Sequence, residues 1–193
     1  MVERASPSLR ALDLLYRRRA TRAFTDDRIG DSAVRELLRA AVHAPTAMHL
    51  EPWAFVIVQD PAVLARINAR AKTLALARSP APRIPALFSD PSVDIFYGAT
   101  TLIVICAKPL GPFAAADCWL AAEKVMLAAT AMGLATCPIG FARGALADPV
   151  LAAELGIPRD VTPVAPIIVG VPSGKPPASS RRAPEILSWK KPT

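Results

Sequence analysis

Apolar residues recur at helical spacing at the start of the chain and again after a polar turn. In the first segment four of them share one helical face: Leu9, Leu12, Leu15 and Tyr16. Ser6 and Pro7 are typical of a helix start, so we expect a helix from there to about Arg19. The second segment keeps the same period, and Asp31 or Ser32 could cap its helix. Two amphipathic helices are therefore predicted before the first strand.

Three later runs combine apolar, β-branched and aromatic residues, which predicts buried strands. They are WAFVIVQD at 53–60, TTLIVICA at 100–107 and PVAPIIVGVP at 163–172. Helices are predicted at about 62–78, 115–134 and 148–157, and ATCPIGF at 135–141 is predicted to be a short extended link. Strands interleaved with helices, without an internal repeat, indicate one layered α/β or α+β domain.

Composition narrows the class of protein. The 193 residues suffice for one well-packed domain, and the 52% hydrophobic content argues against disorder. No apolar run is long enough to cross a bilayer and no export signal is recognisable, so we expect a cytoplasmic protein without a membrane partner. Because the cysteines are far apart, neither a disulfide framework nor a metal site is expected. We interpret Cys106, Cys118 and Cys137 as small buried hydrophobic residues.

Positive charge is the next distinguishing feature. The net charge of +7 and the isoelectric point near 9.8 suit nucleic acid, an acidic membrane surface or an anionic small molecule. The basic residues collect in RRRATRAF at 17–24 and in the tail at 175–191, without an RNA-type aromatic motif or a zinc finger beside them. Nucleic-acid binding is therefore the weaker interpretation. Two separated arginine groups could instead hold one phosphate through charge-assisted hydrogen bonds.

The chain lacks the GxSxG, Walker, HExxH and GxGxxG signatures, so hydrolase, P-loop and Rossmann chemistry are not indicated. Five segments in order nevertheless resemble the successive signatures of the nitroreductase family of flavoproteins. They are RRRATRAF, AAVHAPTAMHLEPWAFVIVQD, DCWLAAEKVMLAATAMGLATCPIGF, PVAPIIVGVP and SRRAPEIL. The first two are the most specific, since a basic R-R-x-x-R-x-F precedes an A-P-[ST] loop that leads into P-W-x-F. The resemblance covers nearly the whole chain.

The resemblance implies the fold and the assembly. It implies an α+β layered fold in which helices flank a central, mainly antiparallel sheet. It also implies an entwined homodimer with one non-covalent FMN in each site at the subunit interface. We therefore expect residues 1–193 to form a single nitroreductase-like domain, with 173–193 a C-terminal extension that packs on the partner subunit.

The resemblance assigns the first basic motif to the FMN phosphate and ribityl chain. Arg18, Arg19 and Arg22 would make these contacts, and Ala20 stands where a serine is more usual. Alternatively, Arg17, Arg18 and Arg19 are only cations at the C-terminus of the first helix, where they interact favourably with the helix dipole.

A loop after the second helix is implied to reach the flavin of the partner subunit. Its residues are Pro45, Thr46, Ala47, Met48 and His49. His49 and Glu51 stand where Asn and Gln are common in the family. An acidic Glu51 near an anionic cofactor needs a partner or a rotamer that turns away, and His49 could be only a surface residue.

Two later segments complete the implied site. Pro138, Ile139 and Gly140 match the family segment that lies against the isoalloxazine ring, where a backbone N–H could bond flavin N5. Arg181 and Arg182 match the C-terminal phosphate contact. Arg182 is the preferred one of the two, and the choice stays open.

Four further polar or aromatic residues receive structural interpretations. His43 is not expected to be catalytic, and Trp53 is interpreted as core packing rather than a stacking platform. Glu123 and Lys124 stand where the long helix of the family often has amides. Such an ionisable pair on a buried helix is either paired across the dimer or exposed.

The implied activity is hydride transfer from NADH or NADPH, through flavin N5, to a small-molecule oxidant such as a nitroaromatic or a quinone. No catalytic side chain is expected, because the flavin carries the chemistry and the chain positions it. Arg22 is our candidate for positive charge near flavin N1 and O2. Residues 78–96 and Phe113 are expected at the entrance. The alternative is a protein that binds or sequesters flavin without efficient NAD(P)H turnover.

Overall fold

A computed structural model of the chain describes residues 6–78, 88–90, 92–175 and 180–192. Four strands form one sheet: β1 (Trp53–Val58), β2 (Thr101–Ala107), β3 (Ala135–Pro138) and β4 (Thr162–Gly170). Their order across the sheet is β1-β2-β4-β3, and every neighbouring pair is antiparallel. The expected antiparallel α+β fold is therefore confirmed.

The two central strands are buried along their length. All of β2 and all of β4 after Thr162 are inaccessible, as expected for apolar runs whose two faces are both covered. Alternate residues of β2 enter two different cores: Ile103 and Ile105 pack on one side, while Leu102 and Val104 pack on the other. The sheet is thus the middle layer of a three-layer domain.

Six α-helices cover the two faces of the sheet in the part of the chain that the structure describes. They are α1 (Ser6–Arg17), α2 (Asp31–Ala41), α3 (Pro61–Arg78), α4 (Ala114–Ala131), α5 (Ala142–Leu146) and α6 (Pro149–Glu154). The long helix α4 packs on the sheet and contacts α1 and α2, whereas α3 contacts α5 on the opposite face. No helix among the described residues is long and apolar enough to cross a membrane.

The predicted boundaries need three corrections. The first helix ends at Arg17, before the expected Arg19, because the chain then turns to pair with the sheet. The second helix begins at Asp31, so its N-cap position is the extended Gly30, which has no side chain to accept a hydrogen bond. The prediction that Asp31 or Ser32 caps this helix was therefore wrong. The expected link at 135–141 begins as the edge strand β3, since backbone pairing with β4 is available there.

The cysteines are buried in the core, as expected. Burial raises the pKa of Cys106 to about 11 and is the main reason that the pKa of Cys118 rises to about 12. Burial also raises the pKa of Cys137, although the nearby charges of Arg22 and Arg18 act in the opposite direction. The three thiols therefore remain protonated and unreactive near neutral pH.

An ion pair joins α3 to the start of α6. Arg70 donates from Nε and Nη2 to Oδ2 of Asp148, at 2.9 and 2.6 Å. Asp148 also caps α6, because Oδ1 accepts from the backbone N–H of Val150 at 3.1 Å. The hydrogen bond from Arg70 is the largest cause of the lowered pKa of Asp148. A second pair, Arg66 with Glu154, joins the same two helices.

We expect the Asp148→Asn variant to be less stable than the parent at neutral pH, with the difference vanishing in acid. Asn retains the helix cap and loses only the charge that pairs with Arg70. Because the folded pKa is lowered, the ion pair stabilises the fold above the ordinary value of 3.8 and is lost as the pH falls through the folded value. Thermal unfolding of both proteins between about pH 7 and pH 3 measures the difference.

Asp60→Asn is the matched control. Asp60 caps α3 by accepting from the N–H groups of Ala62 and Val63, at 2.7 and 3.2 Å, and no ion pair to it is found among the described residues. A pH-independent difference for Asp148→Asn, equal to that of the control, would contradict the role of the ion pair.

Candidate functional site

The basic segment after α1 is held at the edge of the sheet by backbone pairing. Ala20 forms a parallel bridge with Thr136 of β3, and Thr21 donates its N–H to the carbonyl of Thr136 at 3.0 Å. Phe24 then pairs with Pro172, beyond the end of β4. The extended backbone places successive side chains on opposite sides, so Thr21 is buried while its neighbour Arg22 is exposed.

The three arginines of this segment have different surroundings. The side chain of Arg18 is 20% exposed, and its Nε lies 3.5 Å from Oε1 of Glu123 on α4. Arg19 donates to the carbonyls of Tyr16 and Arg18, near the end of α1. Arg22 makes no ion pair or side-chain hydrogen bond with any residue that the structure describes. Arg22 is therefore the cation most available to an anionic ligand.

A cavity of about 440 Å³ lies beside Arg22. Its lining is mostly apolar and comes from three places in the chain: Arg22; Cys137, Pro138, Ile139, Gly140 and Phe141; and Phe88, Val93, Asp94, Ile95 and Tyr97. The rings of Phe88 and Phe141 meet edge to face, with centroids 4.9 Å apart. The structure thus brings the predicted ring-face segment and the unpaired arginine together.

The backbone of the ring-face segment has a free donor. Ile139 donates its N–H to the carbonyl of Pro166 at 2.9 Å, which continues the pairing of β3 with β4 by one residue. Gly140 is exposed, and within the described residues its N–H donates no hydrogen bond. Apart from its two chain neighbours, no described residue comes within 4 Å of the position that a Cβ on Gly140 would occupy. The backbone at Gly140 is thus open on the side of its Cα, as a close approach of a ligand requires.

A second cavity, of about 360 Å³, shares Arg22 with the first. Its lining comes from two segments of the chain, residues 20–23 and residues 173–175, and the second segment includes Lys175. Lys175 is a cation that the sequence assignments omitted. The only signal for it was the basic character of the tail, since the lysine does not belong to a recognised motif.

The predicted loop at 45–51 lies away from both cavities, none of whose lining residues belongs to it. Residues 47–49 form a tight turn in which Met48 and His49 have left-handed φ angles, and Pro45, Met48, His49 and Glu51 are exposed. Thr46 accepts from the N–H of Glu51 through Oγ1 at 3.4 Å. One chain alone therefore does not bring this loop to the ring-face segment.

The predicted tail pair also lies apart from these cavities. Arg181 and Arg182 belong to the described stretch 180–192, which has no helix or strand and is exposed throughout. Leu187 in the same stretch is 91% exposed, and Ile186 and Trp189 are exposed as well. Exposed apolar residues close together in this way are typical of an interaction surface.

The remaining assigned residues have clear positions. Trp53 is buried in the core, which confirms its structural interpretation. His43 is exposed and its Nδ1 lies 2.7 Å from the carbonyl of Arg39. Glu123 pairs with Arg18 of the same chain, a third arrangement besides the two expected, while Lys124 is exposed.

The predicted entrance is described only in part. Residues 79–87 and 91 of the stretch 78–96 lie outside the described residues. Four described residues of the stretch line the first cavity: Phe88, Val93, Asp94 and Ile95. Tyr97, just after the stretch, lines it as well. Phe113 is exposed and lines neither cavity.

Comparison with known proteins agrees with this geometry. Residues 15–171 match the model of the Nitroreductase family. A protein of Archaeoglobus fulgidus, provisionally named an NADH dehydrogenase/NAD(P)H nitroreductase, is 28% identical over 166 residues, which cover 83% of this chain and 84% of that protein.

Solved structures show the same fold. A nitroreductase of Bacteroides fragilis with bound FMN superposes with a TM-score of 0.83 at 27% identity, covering 93% of this chain and 98% of that one. A nitroreductase of Desulfitobacterium hafniense, also with bound FMN, gives a TM-score of 0.79 at 23% identity, covering 89% and 94%.

We expect Phe141→Ala to destabilise the fold more than Phe141→Leu does. Both variants lose the edge-to-face contact with Phe88, which is worth about 1 kcal/mol in such pairs, but Leu retains most of the apolar bulk. Urea denaturation at one fixed protein concentration gives the two free energies of unfolding. Equal stability of Phe141→Ala and the parent would show that the ring contact does not stabilise this side of the cavity.

Proposed function

Because this chain belongs to the nitroreductase family, we propose that it is an FMN-dependent oxidoreductase. In this proposal NADH or NADPH is the electron donor, and an organic oxidant such as a nitroaromatic or a quinone is the acceptor. The observation that carries the proposal is the cavity that Arg22 and Gly140 both line: among the described residues, Arg22 has no ion pair and the Gly140 N–H donates no hydrogen bond.

The residues present fit the chemical requirements of FMN. A flat, largely apolar ring suits the lining made by Pro138, Ile139 and Phe141. A phosphate suits the second cavity, which the cations Arg22 and Lys175 both line. The two cavities share Arg22, so one elongated ligand with an apolar end and an anionic end would satisfy both.

When bound, FMN supplies the capacity to accept and pass on a hydride. The chain supplies position and electrostatics. The Gly140 N–H is a fixed donor for a ring nitrogen, and it need not break an internal hydrogen bond to act. Arg22 places positive charge at the same cavity, which favours an electron-rich ring over a neutral one. Phe88 and Phe141 would supply aromatic contacts to one side of the ring.

Arg18 and Arg19 have supporting roles in this proposal. Arg18 carries its charge close enough to act on Cys137 in the lining of the cavity, although Glu123 partly neutralises it. Arg19 holds the turn that leads from α1 into the site, through the carbonyls of Tyr16 and Arg18. Ala20 contributes backbone pairing, for which a serine side chain is not needed.

We propose that the active protein is a homodimer. The exposed apolar tail at 180–192 would pack on the partner subunit and bring Arg181 or Arg182 to the phosphate of its site. The loop at 45–51 would reach the same partner's flavin through His49. Large exposed apolar residues support an interface of this kind, on α1, on α4 and in the tail: Leu12, Leu15, Tyr16, Trp119, Leu120, Ile186, Leu187 and Trp189.

The absorption spectrum of the purified protein tests the proposal. We expect a flavin band, FMN in the supernatant after heat denaturation, and anaerobic bleaching of the band by NADPH or NADH. Colour without bleaching would instead support flavin binding without turnover, the alternative expected from the sequence. A colourless protein that added FMN does not restore would refute both functions.

We expect Arg22→Ala to weaken FMN binding by roughly one to two orders of magnitude, since a hydrogen bond to a charged group contributes about 1.5–3 kcal/mol. Quenching of flavin fluorescence measures the dissociation constant. Arg159→Ala is the matched control, because Arg159 is exposed but lines neither cavity. Equal affinity of Arg22→Ala and the control would remove Arg22 from the binding site.

A further inference from the structure

The geometry points to Asp117 as a positioning residue that holds the loop at 46–51 in a strained, binding-ready conformation. Asp117 itself does not contact the ligand in this inference. The expected effect on FMN rests on the proposed function, in which this loop meets the flavin, whereas the effect on the loop does not.

The loop has an unusual backbone. Met48, His49 and Glu51 have φ angles of 54°, 55° and 44°, in the left-handed region that residues with a Cβ disfavour. Three such residues within four positions persist only where the surroundings impose them. Strain of this kind is common where a binding site is formed in advance.

The side chains of the three left-handed residues do not impose this conformation. Met48 is 88% exposed, and His49 and Glu51 are exposed too. The internal hydrogen bonds run from Leu50 N–H to the carbonyl of Ala47, at 3.2 Å, and from Glu51 N–H to Thr46, at 3.4 Å. Neither connects the loop to the body of the domain.

Asp117 makes that connection at the start of the loop. Its Oδ2 accepts the N–H of Ala47 at 3.1 Å, across 70 positions of sequence. The residue is 5% exposed and lies in the first turn of α4, where the helix dipole favours a negative charge. α4 in turn packs on the sheet, so the carboxylate has a rigid support.

The far end of the loop is held by the sheet. Pro52 accepts the N–H of Lys108 at 2.7 Å, and Trp53 then begins β1. The left-handed residues therefore lie between two fixed points. Removing the Asp117 acceptor would release the Ala47 end of the loop. Met48 and His49 could then relax to ordinary φ values.

A loop fixed before binding loses less conformational freedom when the ligand arrives, and so binds more tightly. We therefore expect Asp117→Ala to increase amide hydrogen exchange in residues 47–51 of the FMN-free protein by up to about tenfold, the loss of one hydrogen bond. The same variant should raise the dissociation constant of FMN by a similar factor.

Asp117→Asn and Cys118→Ala are the matched comparisons. Asn keeps an oxygen that can accept from Ala47, so exchange and affinity should stay close to the parent. Cys118 is buried on the same turn of α4 and makes no hydrogen bond to the loop among the described residues, so its variant should leave both readouts unchanged. Asp117→Ser, whose hydroxyl is too short to reach Ala47, replaces Asp117→Ala if that variant does not fold.

Unchanged exchange in residues 47–51 of Asp117→Ala, with a lowered melting temperature, would overturn the inference and leave Asp117 a purely structural residue. The inference would also be overturned if Asp117→Ala and Asp117→Asn lost exchange protection and FMN affinity equally. The charge of Asp117, rather than its hydrogen-bond acceptor, would then be responsible. If the parent binds no FMN, the proposed function fails, but the exchange comparison still decides the role of Asp117.

Discussion

Backbone pairing at the β3 edge of the sheet is the constraint on which the candidate site depends. Thr136 pairs with Ala20 and Thr21 on one side and with β4 on the other, so the basic segment and the ring-face segment are held a fixed distance apart. This pairing is rigid because β4 is buried between two helical layers. The site is therefore built on sheet rather than on a free loop, even though Gly140 and Arg22 themselves lie just outside regular structure.

Charge is distributed unevenly within the arginine cluster. Arg18 meets Glu123 and Arg19 meets backbone carbonyls, which leaves Arg22 to serve a ligand. Partial neutralisation of a dense cluster reduces the repulsion between like charges when no anion is present. The side chain that borders both cavities is the one that stays unpaired among the described residues, and this matches a ligand that extends from an apolar ring to a phosphate.

In a family whose cofactor performs the chemistry, the protein needs few reactive side chains but must position the cofactor accurately. The described part of this chain fits that requirement. Its thiols are buried with raised pKa values, and the first cavity is lined by an amide without an acceptor and by a cation without an ion pair among the described residues. The loop at 45–51 lines neither cavity of its own chain, and His49 and Glu51 lie in its left-handed backbone. Its Ala47 donates the backbone N–H to Asp117 of α4.

The sequence by itself determined the parts that depend on local pattern. Apolar runs predicted β1, β2 and β4, helical periodicity predicted α1 to α4, and ordered motifs indicated the family and five residues that line the two cavities: Ala20, Arg22, Pro138, Ile139 and Gly140. Only the tertiary structure decided what depends on partners far apart in the chain: that Ala135–Pro138 is a strand, that Arg18 meets Glu123, that Lys175 lines the same cavity as Arg22, and that Ala47 is bonded to Asp117. Hydrophobic periodicity indicates which face of a helix or strand is buried, because buried positions repeat along that element. It does not indicate which distant donor bonds to which acceptor. Such a hydrogen bond or ion pair involves single residues, and their partners are set by tertiary packing.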